Sequence, residues 1–199
     1  MECINLKNII DLFKMSLPFL FNLLIALLAG YFGFKYVLKQ IKTKMRLDFK
    51  ERQLREFYSP LIGYRKRILA MSELRVAIYN ASETKFKEVY MTNPNSSEEN
   101  SKRYDNSKDY DKKQFREELM PLYDKMVTIF TENYYMAESE TKNYYNELIM
   151  FVEIWHRELS EAIPREVVTE LKHTEERLKP FYNDLDNQTN KLSKELSNK

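Results

Sequence analysis

"MSLPFLFNLLIALLAGYFGF", residues 15–34, is twenty residues without a formal charge. As an α-helix rising 1.5 Å per residue it is about 30 Å long, close to the hydrocarbon thickness of a bilayer. Asn22 is its only strongly polar group, and Pro18 falls in the first turn, where a missing N–H does least harm. A cleaved signal peptide would need a basic N-terminal region and a small-x-small site. Here Glu2 and Asp11 offset Lys7 and Lys14, and no such site follows the apolar run. The reading is a retained transmembrane helix over 15–38, preceded by a short extracytoplasmic segment, 1–14.

Working outward, the charge of the flanks sets orientation. Lys35, Lys39, Lys42, Lys44, Arg46, Lys50, Arg52 and Arg55 follow the anchor, against only Asp48 and Glu51. Basic residues stay on the cytoplasmic side, so the N-terminus is expected outside and the rest of the chain in the cytoplasm. The same run forms a basic juxtamembrane helical stalk, 39–58, suited to anionic lipid headgroups. Within the anchor, Ala26/Gly30 and Ala29/Gly33 are small-x-x-x-small pairs that let helices approach closely, which would suit a homo-oligomer.

Residues 59–199 are expected to form an all-α cytoplasmic bundle of about four long helices. The chain has three glycines, the last being Gly63, and sheet proteins need glycine in their turns. Pro60 should kink the stalk or start a new helix, with Ser59 as its N-cap. From there Tyr64, Ile68, Met71, Leu74, Ile78, Phe86 and Val89 keep a 3.6-residue period to about Thr92. "NPNSSEENSKRYDNSKDYDKK", residues 93–113, has no aliphatic residue and reads as a polar, mobile linker. The apolar stripe then runs from Tyr123 to Ile163, weakest at Ala137 and Thr141, where a split with Ser139 as cap is expected. A last helix should begin at Pro164 and carry Val168, Leu171, Glu175, Leu178, Tyr182 and Leu185 on one face, kinked at Pro180.

The composition excludes several classes. The net charge is +2 with both signs mixed, which does not suit nucleic acid, and the single cysteine, Cys3, rules out an internal disulfide. No glycine-rich phosphate loop and no Gly-x-Ser-x-Gly is present. The only two histidines both lie in Glu-x-x-His: Glu153/His156 and Glu170/His173. That motif on two helices, with a glutamate from each of two others, is the ligand set of di-metal carboxylate bundles. Helical phase argues against it. His156 falls near the core face, but His173 falls two positions from Leu171 and should face solvent. The expectation is therefore exposed Glu–His pairs, no bound metal or other cofactor, and no enzymatic activity.

One phrase occurs twice. "EFYSPL", with Phe57, Tyr58, Pro60 and Leu61, is echoed by "PFYNDL", with Pro180, Phe181, Tyr182 and Leu185. Each also has the form of a tyrosine-based sorting signal, although a proline at a helix joint is the simpler reading. With a split near Ser139 the last helix returns alongside the first, so Phe57 is expected to meet Phe181 or Leu185.

Leu54, Glu56, Phe57, Tyr58, Pro60 and Leu61 after a basic stalk resemble the L-x-E-F-Y-x-P-L pattern of a loose group of uncharacterised short bacterial single-pass membrane proteins. The resemblance covers the anchor and about ten residues. It implies an inner-membrane location and a helical cytoplasmic part, and it brings no activity. The expected function is a membrane-tethered interaction or scaffold module with an unidentified protein partner. The alternative is an effector or regulator, in a stress or phage-defence setting, whose transmembrane segment oligomerises.

Overall fold

The computed structural model describes residues 6–92 and 97–197. Every regular element among them is helical: α1 (Leu6–Arg52), α2 (Ser59–Thr92), α3 (Ser97–Gln114), α4 (Met120–Glu132), α5 (Ser139–Lys142), α6 (Tyr145–Leu159), α7 (Arg165–Glu170) and α8 (Lys179–Ser197). Two compact units divide the chain, residues 1–49 and residues 50–199. In the first, every described side chain from Leu17 to Arg46 along α1 is exposed. The run expected to cross a membrane is the one helix among the described residues long and apolar enough to do so.

The second unit has a single core, fed by α2, α4, α6, α8 and the turns between them. Proline does not break this bundle where a break is expected. Instead a π-helical turn, Gln53–Tyr58, joins α1 to α2, and Ser59 has helical dihedrals and donates to the Leu54 carbonyl five residues back. Ser59 is therefore no N-cap. A second π-turn, Phe115–Leu119, joins α3 to α4, and there Met120 donates to the Phe115 carbonyl. Each π-turn ends two residues before a proline, Pro60 and Pro121. A proline lacks the N–H and its ring crowds the carbonyl four residues back. Widening the preceding turn relieves that crowding without ending the helix.

Three further expectations are corrected. Residues 97–114 are helix α3, not an irregular linker, and 93–96 lie outside the described residues. This helix is polar all round, with an i,i+3 ion pair within it, Lys108–Asp105 (4.0 Å), and an i,i+4 pair from Lys113 to Glu117 of the following π-turn (3.9 Å). The 123–163 stripe does split, at Asn133–Glu138, with the first helical residue at Ser139 and no side-chain cap. The last helix is not continuous from Pro164. It breaks after Glu170, and Pro180 sits in the first turn of α8 without kinking it.

Candidate functional site

The eight basic residues after the apolar run divide into two groups. Lys35, Lys39, Lys42, Lys44 and Arg46 are exposed, with no ion pair among the described residues, and the Lys35 ammonium lies 4.7 Å from the Tyr31 ring centre. Tyr31 lies near the C-terminal end of the apolar run and Tyr36 just after it. Lys50, Arg52 and Arg55 are instead committed to protein. Lys50 pairs with Glu195 of α8, Arg52 reaches Glu56 (3.6 Å) and donates to the Tyr135 hydroxyl (3.2 Å), and Arg55 pairs with Glu56 (2.8 Å). In the apolar run, a Cβ added at Gly30 or Gly33 meets no atom within 4 Å outside its chain neighbours and its own helix backbone. Ala26 and Ala29 are likewise exposed.

The two aromatic phrases enter one core. Phe57, Tyr58, Leu61, Phe181, Tyr182 and Leu185 are all buried there. Phe57 and Phe181 both touch Phe130, at ring separations of 5.2 and 5.8 Å, so the phrases meet across a ring that α4 supplies. The π-turn makes this possible. Its wider spiral turns the consecutive residues Phe57 and Tyr58 inward together, edge to face at 4.8 Å. Pro60 is half-buried and Pro180 exposed, so neither proline reaches into the core.

A directed hydrogen-bond chain runs beside these rings. The Glu138 backbone N–H donates to the Tyr58 hydroxyl (3.0 Å). Thr141 donates to Asp184 (2.6 Å), so its oxygen is left to accept from Tyr58 (3.0 Å). Gln53 adds a bond to the Met136 carbonyl (2.7 Å). Together these tie the irregular segment 133–144 to the π-turn and to α8. Burial raises the Tyr58 hydroxyl above its ordinary pKa.

Of the two histidines, both expected in exposed Glu–His pairs, one is exposed and the other is buried. His156 is exposed and bonds Asp124 of α4 at 2.7 Å. Glu153 pairs with Arg157 (2.8 Å), and Glu170 is exposed. His173, expected in solvent, is 6% exposed and packed on Phe151 (4.4 Å) and Trp155 (5.1 Å) of α6. Neither of its ring nitrogens has a hydrogen-bond partner. Burial, and then the nearby Arg177, hold its pKa below the ordinary histidine value. The two Glu-x-x-His motifs thus diverge, and no metal-binding group of three such side chains forms among the described residues.

The cause is local. Leu171 is not on the core face, because α7 ends there in a Schellman cap. His173 N–H bonds the Val168 carbonyl (3.2 Å) and Lys172 N–H the Thr169 carbonyl (2.9 Å), with Lys172 left-handed at φ 49°. α6 ends identically: Ala162 N–H to the Arg157 carbonyl (2.8 Å), Glu161 N–H to the Glu158 carbonyl (3.0 Å), and Glu161 at φ 59°. The usual signal for such a cap is glycine, and no glycine follows Gly63.

Sequence reasoning also missed a cleft of about 820 Å³ walled by α2, α3, α6 and the turn after α6. Its apolar lining is Val76, Tyr79, Phe115, Trp155 and Leu159, with Phe115 and Trp155 edge to face at 4.8 Å. Arg75 lies over the Phe115 ring (5.8 Å), and Arg116 bonds the Leu159 carbonyl (3.0 Å). Lys112, Glu161 and Arg165 stand on its rim. A surface of this kind, aromatic below and mixed in charge above, suits contact with another polypeptide.

Comparison with known protein families, with curated proteins and with solved structures finds no match to this chain.

Proposed function

We propose that this protein is a membrane-tethered helical interaction module that positions a partner protein, or further copies of itself, at the cytoplasmic face of a bacterial membrane. The observation that carries this reading is the exposure of the apolar helix. Large side chains from Leu17 to Val37 lie open along α1, a surface far larger than a water-soluble monomer presents. A bilayer would cover it. The charge balance after the anchor supports an N-terminus outside and the bundle inside. Anionic headgroups are natural partners for Lys35 to Arg46. The cleft lined by Phe115 and Trp155 offers the bundle a place to hold a polypeptide.

The test replaces residues 15–34 with an unrelated membrane helix and isolates the protein with its associates from native membranes. The same partner should co-purify with both forms. Loss of the partner on exchange would overturn the recruiting role.

One observation favours a second reading, an effector or regulator whose membrane segment oligomerises. The open faces at Gly30 and Gly33, with Ala26 and Ala29 beside them, leave room for a second helix. Under that reading Gly30→Leu abolishes self-association in membranes.

A further inference from the structure

Residues 161–173 form a flap on α6. Its two ends are the two Schellman caps, and Glu161 and Lys172 are the only non-glycine residues with positive φ among the described residues. Of the residues from Glu161 to Arg177, only Val168 and His173 are buried, while Val167 and Leu171 are exposed at 39% and 45%. Val168 and His173 occupy the two positions of a Schellman cap that ordinarily make its apolar contact. The flap is thus pinned by one aliphatic and one titratable side chain.

We propose that the flap is an acid-released cover: proton uptake by His173 undocks residues 161–173 from α6 and bares the Phe151–Trp155 face. The imidazole faces Phe151, Trp155 and Glu147 of α6, Arg177 of the turn that follows the flap, and its own backbone. Arg177 and Glu147 pair with each other at 2.7 Å. The neighbouring Glu175 accepts from Tyr123 (3.1 Å) and Tyr182 (3.4 Å). Glu147 and the ring faces would welcome an imidazolium. Against them stand burial, two nitrogens with no acceptor in reach, and the Arg177 charge.

The sign follows. The docked histidine holds its pKa below the ordinary value of 6.5, whereas in an undocked flap it returns there. Above that pH both states are neutral and docking is at full strength. As pH falls through it, the undocked state takes a proton the docked state refuses, and the flap loosens until the lower, docked pKa is passed. The cleft responds as well, since Glu161 and Arg165 on its rim belong to the flap.

The full chain in lipid nanodiscs provides the test, by hydrogen exchange with protection factors corrected for intrinsic rates. Between pH 7.5 and 5.5, protection at Ala162, Lys172 and His173 should fall several-fold while α4 stays unchanged. Acrylamide quenching of Trp155, the chain's sole tryptophan, should rise in step. His173→Leu and His173→Phe should hold the flap at both pH values. His156→Gln, which removes the other histidine, should respond like the wild type. Constant protection across this range in the wild type overturns the proposal. So does a response that survives in either His173 variant or disappears in His156→Gln.

Discussion

Tyr58 shows how one hydroxyl fixes a backbone. It receives the Glu138 N–H and donates to Thr141, which donates to Asp184, so the donors run in one direction from loop to α8. Tyr58→Phe would keep the ring contact with Phe57 but strand the Glu138 N–H beside a core. An unpaired buried donor costs about 1–3 kcal/mol, against about 1 kcal/mol for a hydrogen bond merely exchanged with water. The expected loss is therefore about 2 kcal/mol, read as a lower urea midpoint at unchanged slope. A midpoint shift below about 0.5 kcal/mol would mean that water takes the place of the hydroxyl. The burial of Tyr58 was legible beside its neighbour Phe57, because the phrase recurs at Phe181 and Tyr182. The role of its hydroxyl was not, since Thr141 and Asp184 lie far away in sequence. His173 was illegible for a different reason. Its phase was counted from Leu171 along one helix, and the helix ends at Leu171.

At the scale of elements, the two devices that sequence reasoning missed share a logic: each does without the residue that normally announces it. The π-turns before Pro60 and Pro121 let helices pass a residue usually read as a stop. The Schellman caps at Glu161 and Lys172 end helices without glycine. α3 was missed because a helix with no apolar stripe leaves no period to detect. By contrast, the split before Ser139 was legible, since apolar periodicity fades there. The caps give a quantitative prediction. A left-handed conformation costs a residue with a Cβ about 1–2 kcal/mol, while glycine adds about 0.5–1 kcal/mol of chain entropy to lose on folding. The first term is the larger, so Glu161→Gly and Lys172→Gly should each stabilise by about 0.5–1 kcal/mol. The two sites are separate caps, and the double variant should be close to additive in a denaturant titration. Destabilisation by either change would show that the side chain, not the backbone, holds that cap.

For the whole molecule the decisive contrast lies within one run of positive charge. Read from the sequence, all eight residues from Lys35 to Arg55 face the membrane surface. In the folded chain Lys50, Arg52 and Arg55 are held by Glu195, Glu56 and Tyr135, whereas Lys35, Lys39, Lys42, Lys44 and Arg46 are exposed. A charge already paired with a carboxylate contributes little net attraction to a headgroup. A free one near the surface is worth about 1 kcal/mol, within a screening length of about 8–10 Å. A fragment beginning at Lys39 retains four of the free charges, so its partition into anionic vesicles should exceed that into neutral ones, with raised salt removing most of the difference. Converting Lys39, Lys42, Lys44 and Arg46 to glutamine should abolish that preference and leave the urea midpoint where it was. Converting Lys50, Arg52 and Arg55 instead should lower the midpoint and leave most of the preference intact. If both sets reduce vesicle binding equally, the ion pairs of Lys50, Arg52 and Arg55 give way to lipid. If neither set does, the run only fixes which side of the membrane the bundle occupies.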